Sequence, residues 1–290
     1  MSANFDYLTR IRSLISLHST KLTSNVLEGT FRSTYRARSM DFDDLREYTW
    51  GDNVKDIDWR SSARTGKTLV RRFVAERRHN IMIVADCGSK MDASSSFGED
   101  KAQLAVDVVG TIAYIALLHG DDVALMTGGA TGISFTGFHG SRNHVETCLA
   151  TYDRDVRTDG TDRLDAMFDH VVEAMGRKMI LFVVTDMEGL ESLHDRALAK
   201  LSLRNDVLIV DIDDAYMFGS SLWDAEAGDY EAEMVLSDPK LQAAELADRR
   251  RRLEAADERC RRYGAHLAVI GRTSEIPDRM VELLQEARNS

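Results

Sequence analysis

The residues with the clearest capacity for chemistry are aspartates that follow apolar runs. Asp86 comes after Ile81-Met82-Ile83-Val84-Ala85, Asp186 after Met179 to Thr185, and Asp211 and Asp213 close the run from Val207 to Ile212. An apolar run ending in an acid describes a buried strand that delivers a carboxylate to a sheet edge. In an open α/β sheet, loops and helix N-termini converge there on ligands. Three strands ending this way form a constellation. Other chemistries leave no pattern: the sequence has no His-Glu-x-x-His, Gly-x-Ser-x-Gly, phosphate loop or dinucleotide fingerprint. The eight histidines are scattered, and the five-residue offset of His139 and His144 is not a metal pair on a helix face. Cys87 adjoins Asp86, whose charge opposes thiolate formation.

The elements that must position these aspartates follow from periodicity. Residues 101 to 118 predict a long apolar helix covered on most faces, with Leu104, Val108, Ile112, Ile115 and Leu118 on one side and Gly120 ending it. Strands follow at Val123 to Thr127 and around Ile133 to Phe135, then a short helix at 143 to 150. Asp159-Gly160-Thr161 introduces a helix to about Met175, with Thr161 or Asp162 as N-cap. A helix over 191 to 203 precedes the strand at Val207. Residues 214 to 237 break the alternation and suggest a small hairpin or lid. A helix from about 240 to 263, a strand at His266 to Ile270 and a closing helix containing Pro277 complete the chain. Strands alternating with helices predict a mostly parallel sheet wrapped on both faces.

The 290 residues carry 43% apolar side chains, enough for a sizeable core, and a net charge of −11, which disfavours nucleic acid as a general partner. Cys87, Cys148 and Cys260 match no disulfide or metal spacing and suit a reducing compartment, so the expected location is the cytoplasm. No uninterrupted apolar run of about 18 residues and no signal-peptide pattern is present, so no membrane span is expected.

Upstream, residues 5 to about 22 predict a docked amphipathic helix, and Gly29 to Arg78 reads as short strands and ordered loops. Asp41 to Asp58 has a local charge of −5, and Arg60 to Arg78 one of +6. Such blocks pair within the fold, present a bipolar docking surface or bind nucleic acid, though no recognisable reading motif accompanies the basic run. Trp59 and Tyr48 are expected to anchor the core. Arg46, Arg60 and Arg64 are expected to pair internally with Asp52, Asp56 or Asp58, with direct partner contact as the alternative. The division expected is 1–78, a helix and a small β-rich segment packed on the main domain, and 79–290.

The order of elements from residue 79, with an aspartate after the first strand, Gly160-Thr161 before the third helix and Thr185-Asp186 after the fourth strand, resembles a von Willebrand factor A domain. Phe42-Asp43-Asp44-Leu45-Arg46-Glu47-Tyr48, Gly51-Asp52, Ile57-Asp58-Trp59-Arg60, Ser62-Ala63-Arg64 and Val70-Arg71-Arg72-Phe73 closely resemble the signature of one bacterial branch, the domain-of-unknown-function 58 family. The resemblance implies a metal-ion-dependent adhesion site built from Asp-x-Ser-x-Ser, a loop threonine and a later aspartate, hard-oxygen donors suited to Mg²⁺ or Mn²⁺. Asp86, Thr161 and Asp186 match, but Gly88 and Lys90 stand where hydroxyls are expected. The site is therefore expected to be degenerate and metal-free, with Lys90 pairing Asp86 or Asp186. Retention of metal with help from Ser89, Asp92 or water is the alternative.

The resemblance further implies a protein-interaction module, partner of a MoxR-type AAA+ ATPase in assembly or activation of other proteins. Its docking residues would be Asp86, Ser89, Lys90, Thr161 and Asp186, with Arg46, Asp52, Arg60 and Arg64 as a second surface. A metal-dependent hydrolase using Asp86 and Asp186 is the alternative function.

Overall fold

A computed structural model describes residues 6–18, 42–52, 54–73, 78–129, 132–158, 163–174, 176, 178–216, 223–224, 229–230 and 238–289. Its centre is a six-stranded sheet. The strands are β3 (Asn80–Ala85), β4 (Asp122–Gly129), β5 (Gly132–Phe135), β6 (Ile180–Thr185), β7 (Asp206–Ile212) and β10 (Ala265–Ile270), in the order β10-β7-β6-β3-β4-β5. All neighbours run parallel except β5, which turns back on β4. β3 has sheet on both sides and helices on both faces, so every residue from Ile81 to Ala85 is fully buried. That is why it reads as an unbroken apolar run instead of an alternating one.

Side chains alternate between two cores, as the period of a strand requires. Ile81, Ile83 and Ala85 join one face with α1 (Tyr7–His18), α3 (Lys101–Leu118), α4 (Arg142–Val156) and α9 (Ile276–Asn289). Met82 and Val84 join the other with α5 (Leu164–Ala174), α6 (Met187–Ser192), α7 (Asp195–Ser202) and α8 (Pro239–Arg262). Among the described helices, α3 alone is long and apolar enough to cross a membrane, although Lys101, Gln103 and Asp107 interrupt it. It lies in the core, packed against sheet and helices.

The amphipathic N-terminal helix is present over Tyr7–His18, and residues 19–22 of the expected span lie outside the described residues. Its first turn is capped from another element: the Glu146 carboxylate accepts the Tyr7 and Leu8 amides at 3.0 and 3.1 Å, satisfying donors that a helix start leaves open. Arg10 pairs with buried Asp107. Ile11 packs on Gly110, where an added Cβ would come within 2.7 Å of it.

Two further expectations change. The helix placed at 143 to 150 runs on to Val156, and the one placed at 191 to 203 is two, α6 and α7, divided around Leu193. Within 214 to 237, β8 (Trp223–Asp224) pairs antiparallel with β9 (Asp229–Tyr230), whereas Met234-Val235, the expected second arm, lies outside the described residues.

Candidate functional site

Parallel register brings the strand-end aspartates together. Ala85 lies opposite Val184, and Thr185 opposite Asp211. Asp86 then accepts on both carboxylate oxygens, from the Gly88 amide at 2.9 Å and from the Thr185 hydroxyl at 2.8 Å. Asp186 caps α6 by accepting the Gly189 amide at 2.9 Å. Glycine is required at 189, because a Cβ would sit 2.0 Å from the Thr185 hydroxyl and 2.9 Å from Asp86. The loops after β3 and β7 are stitched to each other: Ser96 N–H donates to the Asp213 carbonyl at 3.3 Å, and Ala215 N–H to the Ser94 carbonyl at 3.0 Å.

The ammonium set against Asp186 belongs to Lys101, the first residue of α3. It is completely buried, lies 3.1 Å from the Asp186 carboxylate and also pairs with Asp214. Burial acts to lower its pKa, but Asp186 and Asp214 outweigh that and raise it, so the charge is kept. Lys90 instead pairs with Glu188 on α6. The expectation that Lys90 pairs with Asp186 is therefore corrected, for a geometric reason. Lys90 leaves a short 3₁₀ turn half-exposed, whereas Lys101 enters the core along the α3 stripe of Leu104, Ala105 and Val108. That stripe was the signal available in the sequence: a lysine at i, followed by apolar residues at i+3, i+4 and i+7.

Asp211 was read as a strand-end acid, but it lies within β7 and is buried. One of its carboxylate oxygens has no hydrogen-bond partner. Burial first, then the charges of Asp213, Asp214 and Asp186, push its pKa well above the usual range. Arg249 of α8 pairs with Asp213 at 2.6 Å, donates to the carbonyls of Asp214 and Ala215, and stacks on Tyr216 at 4.4 Å. Burial and Asp86 push the Cys87 thiol up to about 12, which leaves it protonated.

A divalent ion needs several oxygen donors with free lone pairs. Gly88 supplies none, the Thr185 hydroxyl is spent on Asp86, and the Asp186 oxygen that does not cap α6 holds Lys101. Among the described residues, no cluster of three or more histidines, cysteines or carboxylates could hold a metal. The residues described do not fit such an ion. Thr161, the expected loop ligand, lies outside the described residues. Ser89 is exposed on the 3₁₀ turn Ser89–Met91 beside Lys90.

The upstream signature folds as a unit: β1 (Phe42–Glu47) pairs antiparallel with β2 (Leu69–Phe73), and α2 (Trp59–Thr65) lies between them in sequence. Asp58 caps α2 by accepting the Ser61 amide, and Ile57 and Val70 form its buried centre. Asp52 accepts the Thr49 amide at 2.8 Å and pairs with Arg46. The Thr49 amide first and the Arg46 guanidinium with it hold the Asp52 carboxyl below its usual range. Lys67 pairs with Glu47 across the hairpin. Internal pairing therefore holds for Arg46 alone; Arg60 and Arg64 are exposed and carry no ion pair among the described residues. The core-anchor reading of the aromatics is also corrected. Trp59 is 67% exposed and Trp50 is 99% exposed, because the described unit, two strands, a 3₁₀ turn at Val54–Asp56 and one short helix, does not cover them. Tyr48 is half-buried.

A sheet in this order, with one antiparallel edge, helices on both faces and an aspartate leading off the central strand, is a von Willebrand A-like α/β fold. The chain belongs to the DUF58 family: the family model, described as a protein of unknown function, matches residues 44–252. Uncharacterised proteins of Mycobacterium tuberculosis (strain H37Rv) and Mycobacterium bovis are 27% identical over 106 residues, 37% of this chain. The matched stretch spans about a third of the length of these curated relatives, 33%. Among solved structures, BatB from Bacteroides thetaiotaomicron aligns with a TM-score of 0.48 at 12% identity, over 73% of this chain and 100% of that one. A von Willebrand factor type A protein from Catenulispora acidiphila aligns with a TM-score of 0.40 at 12% identity, over 77% of this chain and 44% of that one. The fold class rests on the strand order itself.

Proposed function

We propose that this protein is a non-enzymatic interaction module of the cytoplasm that works without a resident metal and partners a MoxR-type AAA+ ATPase in assembling or activating other proteins. The observation that carries the reading is the outward display of the family signature. Trp50, Trp59, Arg60 and Arg64 face solvent on a small hydrogen-bonded scaffold, and exposed tryptophan and arginine are the types that anchor protein interfaces. The loops after β3 and β6 supply a second surface, with Ser89 and Lys90 at its rim. A hydrolase at the same place would need an ion and an activated water, whereas one Asp186 oxygen caps α6 and the other holds the Lys101 ammonium. The three cysteines are free and buried, in keeping with a reducing compartment.

Affinity capture from the native lysate, with ATP and with chelator, tests this. The expected result is recovery of an AAA+ ATPase that withstands chelator and is lost with Trp59→Ser or Arg64→Ala at unchanged melting temperature. Recovery of no ATPase by the wild type overturns the ATPase assignment, and divalent-dependent turnover of generic phosphate or carboxylate esters overturns the non-enzymatic one.

A further inference from the structure

We propose that Lys101 is a built-in cation that holds the carboxyl ends of β6 and β7 together as a divalent ion would, and that removing it opens a site for Mg²⁺ or Mn²⁺. The ammonium meets two carboxylates from different elements, Asp186 directly after β6 and Asp214 in the loop after β7. An ammonium presents three N–H donors around one compact charge, so it can bridge acids from separate loops. The 3.1 Å separation from Asp186 is that of a charge-assisted hydrogen bond. A Mg²⁺–oxygen contact is near 2.0–2.1 Å, so the ion and this ammonium exclude each other.

The surroundings are arranged for a cation at this point. Arg249 holds the far side of the same loop through Asp213 and the carbonyls of Asp214 and Ala215. Asp211 lies buried behind with an unpartnered oxygen. Without Lys101, Asp186 and Asp214 become facing carboxylates that lose their shared ammonium, with Arg249 the remaining cation near Asp214, and carboxylates are hard donors for a small divalent ion. The lysine is covalently part of α3, so the arrangement is assembled whenever the chain folds, whatever the metal supply.

The test compares wild type and Lys101→Met, using Mn²⁺ alone as probe, by calorimetric titration and by thermal melts in chelator and in millimolar Mn²⁺. The wild type is expected to show no saturable heat and the same melt in both buffers. Lys101→Met is expected to melt lower in chelator, to recover in Mn²⁺ and to bind one ion. Lys101→Arg keeps the charge and is expected to stay metal-blind. If Lys101→Met does not fold, the double variant Lys101→Met/Asp186→Asn removes both charges and is expected to fold without metal. One-site Mn²⁺ binding by the wild type, a single variant indistinguishable from wild type, or a double variant no better folded than the single each overturns the proposal. None of these readouts involves a partner, so the proposal and the docking function fail separately.

Discussion

The top of the sheet and the signature hairpin use the same ion-pair chemistry with opposite consequences. Lys101 reaches Asp186 with both side chains almost wholly out of water, while Lys67 reaches Glu47 with side chains 64% and 61% exposed. In the first place a charge stripped of its partner stays stranded in a poor solvent. In the second, water takes over as the pair opens, and the pair adds little. Burial, more than the identity of the paired residues, decides which charges the fold depends on.

Four tests break or sharpen this contrast, the first two each setting a buried site against an exposed one, ordered by the larger effect in each. Lys101→Met in chelator should destabilise by about 3–5 kcal/mol, the cost of breaking a buried pair, and lower the melting temperature by roughly 10 °C. Lys67→Met should shift it by less than about 1 °C, so equal shifts would erase the contrast. Thr185→Val removes the hydroxyl that Asp86 accepts and should cost about 1–3 kcal/mol, seen as a melt a few degrees lower. The matching change at the surface, Thr49→Val beside Asp52, should leave the melt unmoved.

Asp211→Asn should act in the other direction, and its sign depends on pH. The folded pKa of Asp211 is raised, so its contribution is fully present below the unfolded value of about 3.9 and is lost as pH rises through the folded pKa. Replacing it removes that loss. A gain of about 1 kcal/mol is expected at neutral pH, shrinking as pH falls towards 4, and pH-dependent melts would show it. A gain independent of pH would mean that packing, not charge, is responsible. Smallest on stability is Arg64→Ala, whose melt should match wild type within about 1 °C; its effect is expected in ATPase capture.

Much of the fold was legible in the sequence, because burial on both faces imposes a pattern that each strand carries within itself. Ile81 to Ala85, Ile180 to Val184 and Val207 to Val210 are apolar throughout since helices cover both sides of the sheet, and Asp86 and Asp186 mark where their strands leave that cover. The signature segment likewise reads as short strands and ordered loops, and the antiparallel pairing of β1 with β2 is what the structure adds. The stripe after Lys101 marks that lysine as buried, but its partners were decided by tertiary structure, since Lys101 lies 85 residues from Asp186 and 113 from Asp214. It also decided that Trp59 faces solvent. Periodicity reports how a segment meets its own surroundings, but a long-range ion pair or an uncovered ring depends on where separate elements dock, and no local pattern carries that.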